Sequence, residues 1–197
     1  MIHLGLTGSI GMGKSMVARM FESSGVPVFD ADAEVRRLQG QGGALVEPIQ
    51  RRFPGSVRDG AVDREALSAL VLGKPDELAA LEAIVHPAVH RARERFVAEH
   101  ADAPAVLFEI PLLFETSGER EVDKVIVVSA PPEIQRERVL SRPGMTAKKL
   151  DAILARQTSD EEKRQRADYV IDTSGPLAAT ERQVEHILAC LGLAAEQ

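Results

Sequence analysis

The chain has 197 residues, which suits one domain with room for an insertion, and its aliphatic side chains can build a core although Trp is absent. A net charge of −6 argues against a protein that coats nucleic acid, and the single cysteine, Cys190, leaves no disulfide framework within the chain. No apolar run approaches the roughly 20 residues that cross a bilayer, and the first strand pattern begins at residue 2, so a cytoplasmic protein without leader or membrane span is expected.

The first β-like run, Ile2–Thr7, stops where Gly8-Ser9-Ile10-Gly11-Met12-Gly13-Lys14-Ser15 begins. This is the pattern of a phosphate-binding loop between a strand and a helix. Gly8, Gly11 and Gly13 are expected to adopt positive φ and let the backbone approach an anion closely. Successive N–H groups then point at the phosphates, with the partial positive charge of the helix N-terminus behind them. Lys14 can reach β- and γ-phosphate oxygens, and the Ser15 hydroxyl can ligate the magnesium that bridges them. The helix that follows puts Val17, Met20, Phe21 and Ser24 on one face and stops at Gly25.

A second β-like run, Val26–Asp30, leads into Asp30-Ala31-Asp32. Residues 33 to about 100 show no strand pattern and two or three helices, which makes them an inserted helical region. Within it Asp63 is an N-cap with Val62 and Leu67 as staple, and Leu67, Leu70 and Val71 form a stripe. A further helix carries Leu78, Leu81, Ile84 and Val85; His86-Pro87 then reads as the start of another, with Pro at its first position. The remaining β-like runs are Ala105–Glu109, Lys124–Ser129 and Tyr169–Asp172. Four of the five are mostly apolar, as expected of parallel strands covered on both faces. Their alternation with helices predicts a parallel sheet with helices on both sides. In such sheets ligands sit beyond the carboxyl ends of the strands, and Asp30, Asp32, Glu109, Pro111 and Asp172 fall at or just after those ends.

Between Ser141 and Ala167 the pattern is again helical. Thr146 caps one helix, with Met145 and Leu150 as its staple, and Ser159 with Glu162 has capping-box spacing for a second. From Arg136 to Arg166 nine basic side chains face five acidic ones in an otherwise acidic protein, which suits a lid that closes over phosphate. In the last helix Leu177, Val184, Ile187, Leu188 and Leu191 are expected to face inward, with Pro176 at its first turn.

A phosphate loop serves GTPases, ATPases and small-molecule kinases alike. The Asn-Lys-x-Asp signature of a guanine site is absent, and Val106-Leu107-Phe108-Glu109-Ile110-Pro111 only partly matches the Asp-Glu strand end of motor ATPases. Asp32 stands out instead, as a carboxylate able to orient an acceptor hydroxyl or take its proton. Its plain alternative is an N-cap at a strand-to-helix junction. Asp30 suits either magnesium or the neighbouring backbone. No His, Cys and carboxylate cluster suggests zinc.

The chain resembles the dephospho-CoA kinase family. The matching pieces run from Thr7 through Ser15, then Asp30-Ala31-Asp32, His86-Pro87, Pro111-Leu112-Leu113-Phe114-Glu115, the segment from Arg138 through Arg142 to Gln157, and Ala167 to Asp172. They occur in the family's order across nearly the whole chain. The resemblance implies an α/β fold of the P-loop NTPase type, a five-stranded parallel sheet flanked by helices. It implies a nucleotide-binding core at 1–32, 101–140 and 168–197, a helical CoA-substrate-binding region at 33–100 and a lid at 141–167. The implied reaction is ATP-dependent phosphorylation of the ribose 3′-hydroxyl of dephospho-CoA, giving CoA and ADP with Mg²⁺ as cofactor.

The implied catalytic residues are Asp32, Lys14 and Arg142. Gly8, Ser9, Ile10, Gly11, Met12, Gly13, Lys14, Ser15 and Met16 would bind ATP, with Ser15 on the metal. Thr7, Asp32, His86, Pro111 and Leu112 would line the acceptor side. The expected partners are ATP and dephospho-CoA, with no nucleic acid, no membrane and no required oligomer. Ser9, Met12, Met16 and Asp172-Thr173 depart from the family pattern, and none of them removes a charged catalytic position. The competing expectations are another small-molecule kinase, such as one for nucleoside monophosphates, and a nucleotide-dependent switch without turnover.

Overall fold

The structure is a computed structural model that describes residues 1–193. Its elements run β1 (Ile2–Thr7), α1 (Lys14–Ser23), β2 (Val28–Asp30), α2 (Ala31–Gln39), α3 (Val46–Arg52), β3 (Val57–Arg58), β4 (Ala61–Val62), α4 (Arg64–Val71) and α5 (Pro75–Glu99). They continue with β5 (Ala105–Glu109), β6 (Lys124–Ser129), α6 (Pro132–Leu140), α7 (Ala147–Leu154), α8 (Asp160–Gln165), β7 (Tyr169–Asp172) and α9 (Leu177–Cys190). The chain forms two compact units, Asp30–Glu99 and the segments on either side of it.

The flanking unit is built on the expected parallel sheet, in the order β2-β5-β1-β6-β7. β1 pairs in parallel with β5 and β6, and β6 with β7. β1 is therefore central, and the loop that follows it leaves from the middle of the sheet. One face packs Leu4, Leu6, Leu107, Ile126 and Ile171 against Val17 and Phe21 of α1 and Val184, Ile187 and Leu188 of α9. The other face carries Leu113, Phe114, Val125 and Val127. Each such side chain contributes roughly 1.5–3 kcal/mol of burial, so the two-faced core fixes β1 and everything attached to its end.

β2 is shorter than the sequence pattern indicates. It begins at Val28 because Pro27 has no N–H for a ladder; only the Pro27 carbonyl is used, accepting from Leu107 N–H at 2.8 Å. Leu177 is also corrected: it is 53% exposed at the first turn of α9, while Val184, Ile187 and Leu188 are buried as expected. Asp168 ties β6 to the start of β7. Its carboxylate accepts from Val125 N–H and from the Lys124 ammonium, both at 2.8 Å. Burial alone would raise this carboxyl; those two donors hold it below the ordinary aspartate range.

The second unit is helical, with one surprise. β3 and β4 form an antiparallel hairpin pairing Val57 with Val62 and Arg58 with Ala61. Asp59 and Gly60 turn it, with φ of 51° and 75°, the two positive values of a type I′ turn. Strands of two residues are too short to show an alternating pattern, so the sequence reads as strand-free there. Asp63 caps α4 as expected, accepting from Glu65 and Ala66 N–H at 3.1 Å.

Pro87 does not open a helix. It lies inside the long α5, where it removes one backbone donor. The helix continues because Ala88 is buried and Ile84, Val85 and Val89 pack beside it on Leu38, Ile49 and Leu67, and that packing outweighs a cost of about 3 kcal/mol.

Candidate active site

The phosphate loop is shaped by contacts beneath it as much as by its glycines. Gly11 and Gly13 take φ of 81° and 90°, as expected. Gly8 does not; there the reason for glycine is close approach, since a Cβ would lie 2.6 Å from the Val128 carbonyl oxygen. Met12 is buried, and its sulfur accepts from Ala130 N–H at 3.1 Å. This departure from the family pattern therefore fills the core under the loop. Thr173 Oγ1 donates to the Met12 carbonyl at 2.8 Å. Arg138 on α6 in turn donates to Thr173 Oγ1 at 2.9 Å and to its carbonyl at 2.6 Å. The strand end that breaks the family's Asp-Asn pattern is thus a strut for the loop, and a guanidinium braces it.

Lys14 and Ser15 begin α1 and converge on Glu109, the last residue of β5. Glu109 Oε1 pairs with the Lys14 ammonium and accepts from Ser15 Oγ at 2.8 Å. The Glu109 carboxylate is nearly buried at 6% exposure, which strengthens its field on both partners. The topology makes this meeting inevitable: β5 lies beside β1 in register, so its carboxyl end stands next to the loop. The sequence places Glu109 at a strand end but offers no way to assign it, because strand order is a tertiary fact. Arg138 and Thr173 were missed for the same reason.

The groups present fit a magnesium–nucleotide complex. A hydroxyl and a carboxylate are hard oxygen donors suited to Mg²⁺. Among the described residues no three His, Cys, Asp or Glu side chains gather to hold a metal by themselves. A cation here would take the rest of its coordination from phosphate and water, as Mg²⁺ commonly does.

Thr7 and Pro111 are brought together: the buried Thr7 hydroxyl donates to the Pro111 carbonyl at 3.2 Å and braces the chain after β5. Leu112 follows, 43% exposed. Arg142 is exposed in the turn after α6, with Gly144 at φ 73° two residues on. Thr146 caps α7 and Ser159 caps α8, each accepting from the N–H three residues on. In the segment read as a lid, Glu115 accepts from Thr158 N–H at 2.7 Å and lies 3.1 Å from the fully buried Lys163 ammonium. Burial would raise the Glu115 carboxyl, but its own backbone N–H, that of Thr158 and Lys163 together lower it.

Asp32 and His86 belong to the helical unit, and both are exposed. Asp30, not Asp32, caps α2: its Oδ1 accepts from Ala33 N–H at 2.8 Å, and Arg36 lies 3.6 Å from Oδ2. The plain alternative for Asp32 is thereby removed, because the capping task belongs to its neighbour.

Comparison with known proteins identifies the family. The family model described as dephospho-CoA kinase matches residues 2–179. A protein of that name from Novosphingobium aromaticivorans is 56% identical over 188 residues, covering 95% of this chain and 94% of its own. Its namesake from Brucella melitensis is 53% identical over 193 residues, covering 97% and 96%. Among solved structures, a Thermus thermophilus protein superposes with a TM-score of 0.86 at 40% identity, covering 96% of this chain and 97% of its own. A dephospho-CoA kinase from Campylobacter jejuni gives 0.70 at 25%, covering 95% of each. A shikimate kinase from Bacteroides thetaiotaomicron gives 0.57 at 14%, covering 98% of this chain and 99% of its own, which shows the shared fold alone.

Proposed function

The chain belongs to the dephospho-CoA kinase family and is a kinase of the last step of CoA biosynthesis; we propose that Asp32, Lys14 and Arg142 carry its phosphoryl transfer. The observation that carries this reading is the convergence of Lys14, Ser15 and Glu109 at the end of β1, joined to a helical unit that opens with an uncommitted carboxylate at Asp32. In phosphoryl transfer the protein mostly positions groups and neutralises charge.

Each residue has a task in that scheme. The backbone of residues 8–16 cradles the triphosphate, and the Lys14 ammonium turns from Glu109 to the β- and γ-phosphate oxygens. Mg²⁺, when bound with the nucleotide, supplies charge neutralisation across those oxygens. Ser15 and Glu109 are the residues that would hold it. Asp32 accepts the proton of the ribose 3′-hydroxyl of dephospho-CoA as that oxygen attacks. Arg142, on the turn leading to α7, stabilises charge on the transferring group; arginines in this role are worth about 10³–10⁵ in rate. Thr7, His86, Pro111 and Leu112 shape the acceptor side. Residues 141–167 act as a lid, and residues 33–100 take the rest of the acceptor. The reaction runs in the cytoplasm, on MgATP and dephospho-CoA, without need of nucleic acid, membrane or a second copy. No helix among the described residues is long and apolar enough to cross a membrane.

The test is coupled ADP release with MgATP and, in separate reactions, dephospho-CoA, AMP, CMP, UMP, pantothenate or no acceptor. Turnover with dephospho-CoA alone, with CoA as product, is expected. Turnover with a nucleotide acceptor would overturn the assignment of the helical region, and silence with every acceptor would point to a binding module. Glu109→Gln is expected to lower kcat/KM for MgATP about 10- to 100-fold and to raise the Mg²⁺ concentration needed for half-maximal rate, since hydrogen bonds to charged groups are worth about 1.5–3 kcal/mol. A variant indistinguishable from the parent across a Mg²⁺ titration would leave Glu109 as a brace of the loop only.

A further inference from the structure

Ile10 stands inside the phosphate loop, and carboxamides hold both of its backbone polar groups. Gln135 on α6, buried, donates Nε2 to the Ile10 carbonyl at 2.8 Å. Gln157, in the turn after α7, accepts the Ile10 N–H on Oε1 at 3.3 Å. These two contacts differ in kind. Gln135 sits in a helix one turn from the fully buried Val139, and it holds the carbonyl, which phosphate has no use for. Gln157 holds an N–H, the group by which such loops bind anions.

The surroundings of Gln157 are also asymmetric. From Thr158 onward the chain is tied to the sheet. Thr158 N–H bonds Glu115, Ser129 Oγ donates to Asp160 at 2.7 Å, and Lys163 is fully buried against Glu115. Before Gln157 lies α7, held by the buried Leu150 and by a long Arg136–Asp151 pair at 3.5 Å, and beyond α7 the turn that carries Arg142. Gln157 is therefore where the arm bearing Arg142 reaches the loop, one residue ahead of a fixed anchor.

We propose that Gln157 is a positioning residue whose carboxamide oxygen holds the Ile10 N–H in place of a phosphate oxygen, so that arrival of the triphosphate takes this N–H and releases the arm. The N–H has one hydrogen to give. At 3.3 Å the carboxamide contact lies beyond the usual 2.7–3.2 Å range, whereas an anionic phosphate oxygen forms a charge-assisted bond roughly twice as strong. The exchange favours phosphate, and the contact given up is subtracted from nucleotide affinity. The kinase reading enters only through MgATP at the loop; the identity of the acceptor does not.

The experiment is titration of the full chain with the magnesium complex of β,γ-imido-ATP, without acceptor, for the parent, Gln157→Ala and Gln157→Glu. Hydrogen exchange is followed across residues 147–154 in the same samples. Removing the competitor in Gln157→Ala is expected to tighten nucleotide binding about two- to fivefold, the lower part of what one hydrogen bond allows, because the contact is long. Gln157→Glu, a stronger acceptor for the same N–H, is expected to bind more weakly than the parent. In the parent, nucleotide should speed exchange across α7; in Gln157→Ala exchange should be fast already. A Gln157→Ala variant that binds nucleotide more weakly than the parent would mean that Gln157 shapes the loop or touches the nucleotide, and the proposal fails. Equal affinity with unchanged exchange would show the contact to be idle, and it fails again. A parent chain that binds no nucleotide would strike the reading of the loop itself, which is a separate outcome.

Discussion

Lys14→Ala is expected to lower kcat/KM for MgATP by about 10²- to 10³-fold and to weaken MgATP binding in direct titration, since a donor aimed at developing charge is worth roughly 2.7–4 kcal/mol. Glu109 makes the loss more than the removal of one cation. It is nearly buried, and Lys14 and Ser15 are its two partners at the loop. Without the ammonium, only Mg²⁺ would offset this carboxylate beside the triphosphate, and charges a few ångströms apart in a partly buried site repel by several kcal/mol. Lys14→Ala combined with Glu109→Gln should therefore be less damaging than the two single effects added together, by more than the roughly 0.5 kcal/mol scatter of independent sites. Steady-state kinetics on the four chains of that cycle measure the coupling. A Lys14→Ala chain with near-parental KM and kcat would remove the lysine from the phosphate site.

The legible parts of this protein are those whose signal is local. β1, β5, β6 and β7 are mostly apolar, and their observed bounds coincide with the sequence pattern. The caps at Asp63, Thr146 and Ser159 announce themselves because a capping side chain needs only the next three residues. The loop from Gly8 to Ser15 is legible for the same reason. What stayed hidden depends on pairing between distant segments. Glu109 reaches Lys14 only because β5 lies beside β1, and Arg138 matters only because β7 delivers Thr173 under the loop. The hairpin at 57–62 and the uninterrupted α5 are tertiary overrides. Two-residue strands show no period, and Pro87 is carried through a helix by the packing around it. The acceptor side is the least legible. Dephospho-CoA is read from family resemblance, because the helical unit carries no motif whose chemistry names it.

Asp32→Asn is expected to bind MgATP within about threefold of the parent and to lose about 10²- to 10⁴-fold in kcat, the range that a positioned general base contributes. The substitution keeps the size of the side chain and removes its charge and basicity. The neighbouring carboxylate provides the control. Asp30 holds the cap of α2 through Ala33 N–H, so Asp30→Asn or Asp30→Ala acts on the helix, costing about 0.5–2 kcal/mol of stability for the alanine change. Asp32 is exposed in the first turn of α2, where its loss removes only a favourable charge near the helix N-terminus, about 0.3–1 kcal/mol. The two aspartates should thus separate in opposite directions. Asp32→Asn should leave the thermal unfolding midpoint almost unmoved while turnover collapses, and Asp30→Ala should lower the midpoint with the larger part of kcat retained. Parallel melting curves and single-turnover phosphoryl transfer with saturating MgATP and dephospho-CoA decide it. If Asp32→Asn turns over near the parental rate, the proton of the acceptor hydroxyl leaves by another route, and Asp32 loses its catalytic role while the fold and the nucleotide site stand.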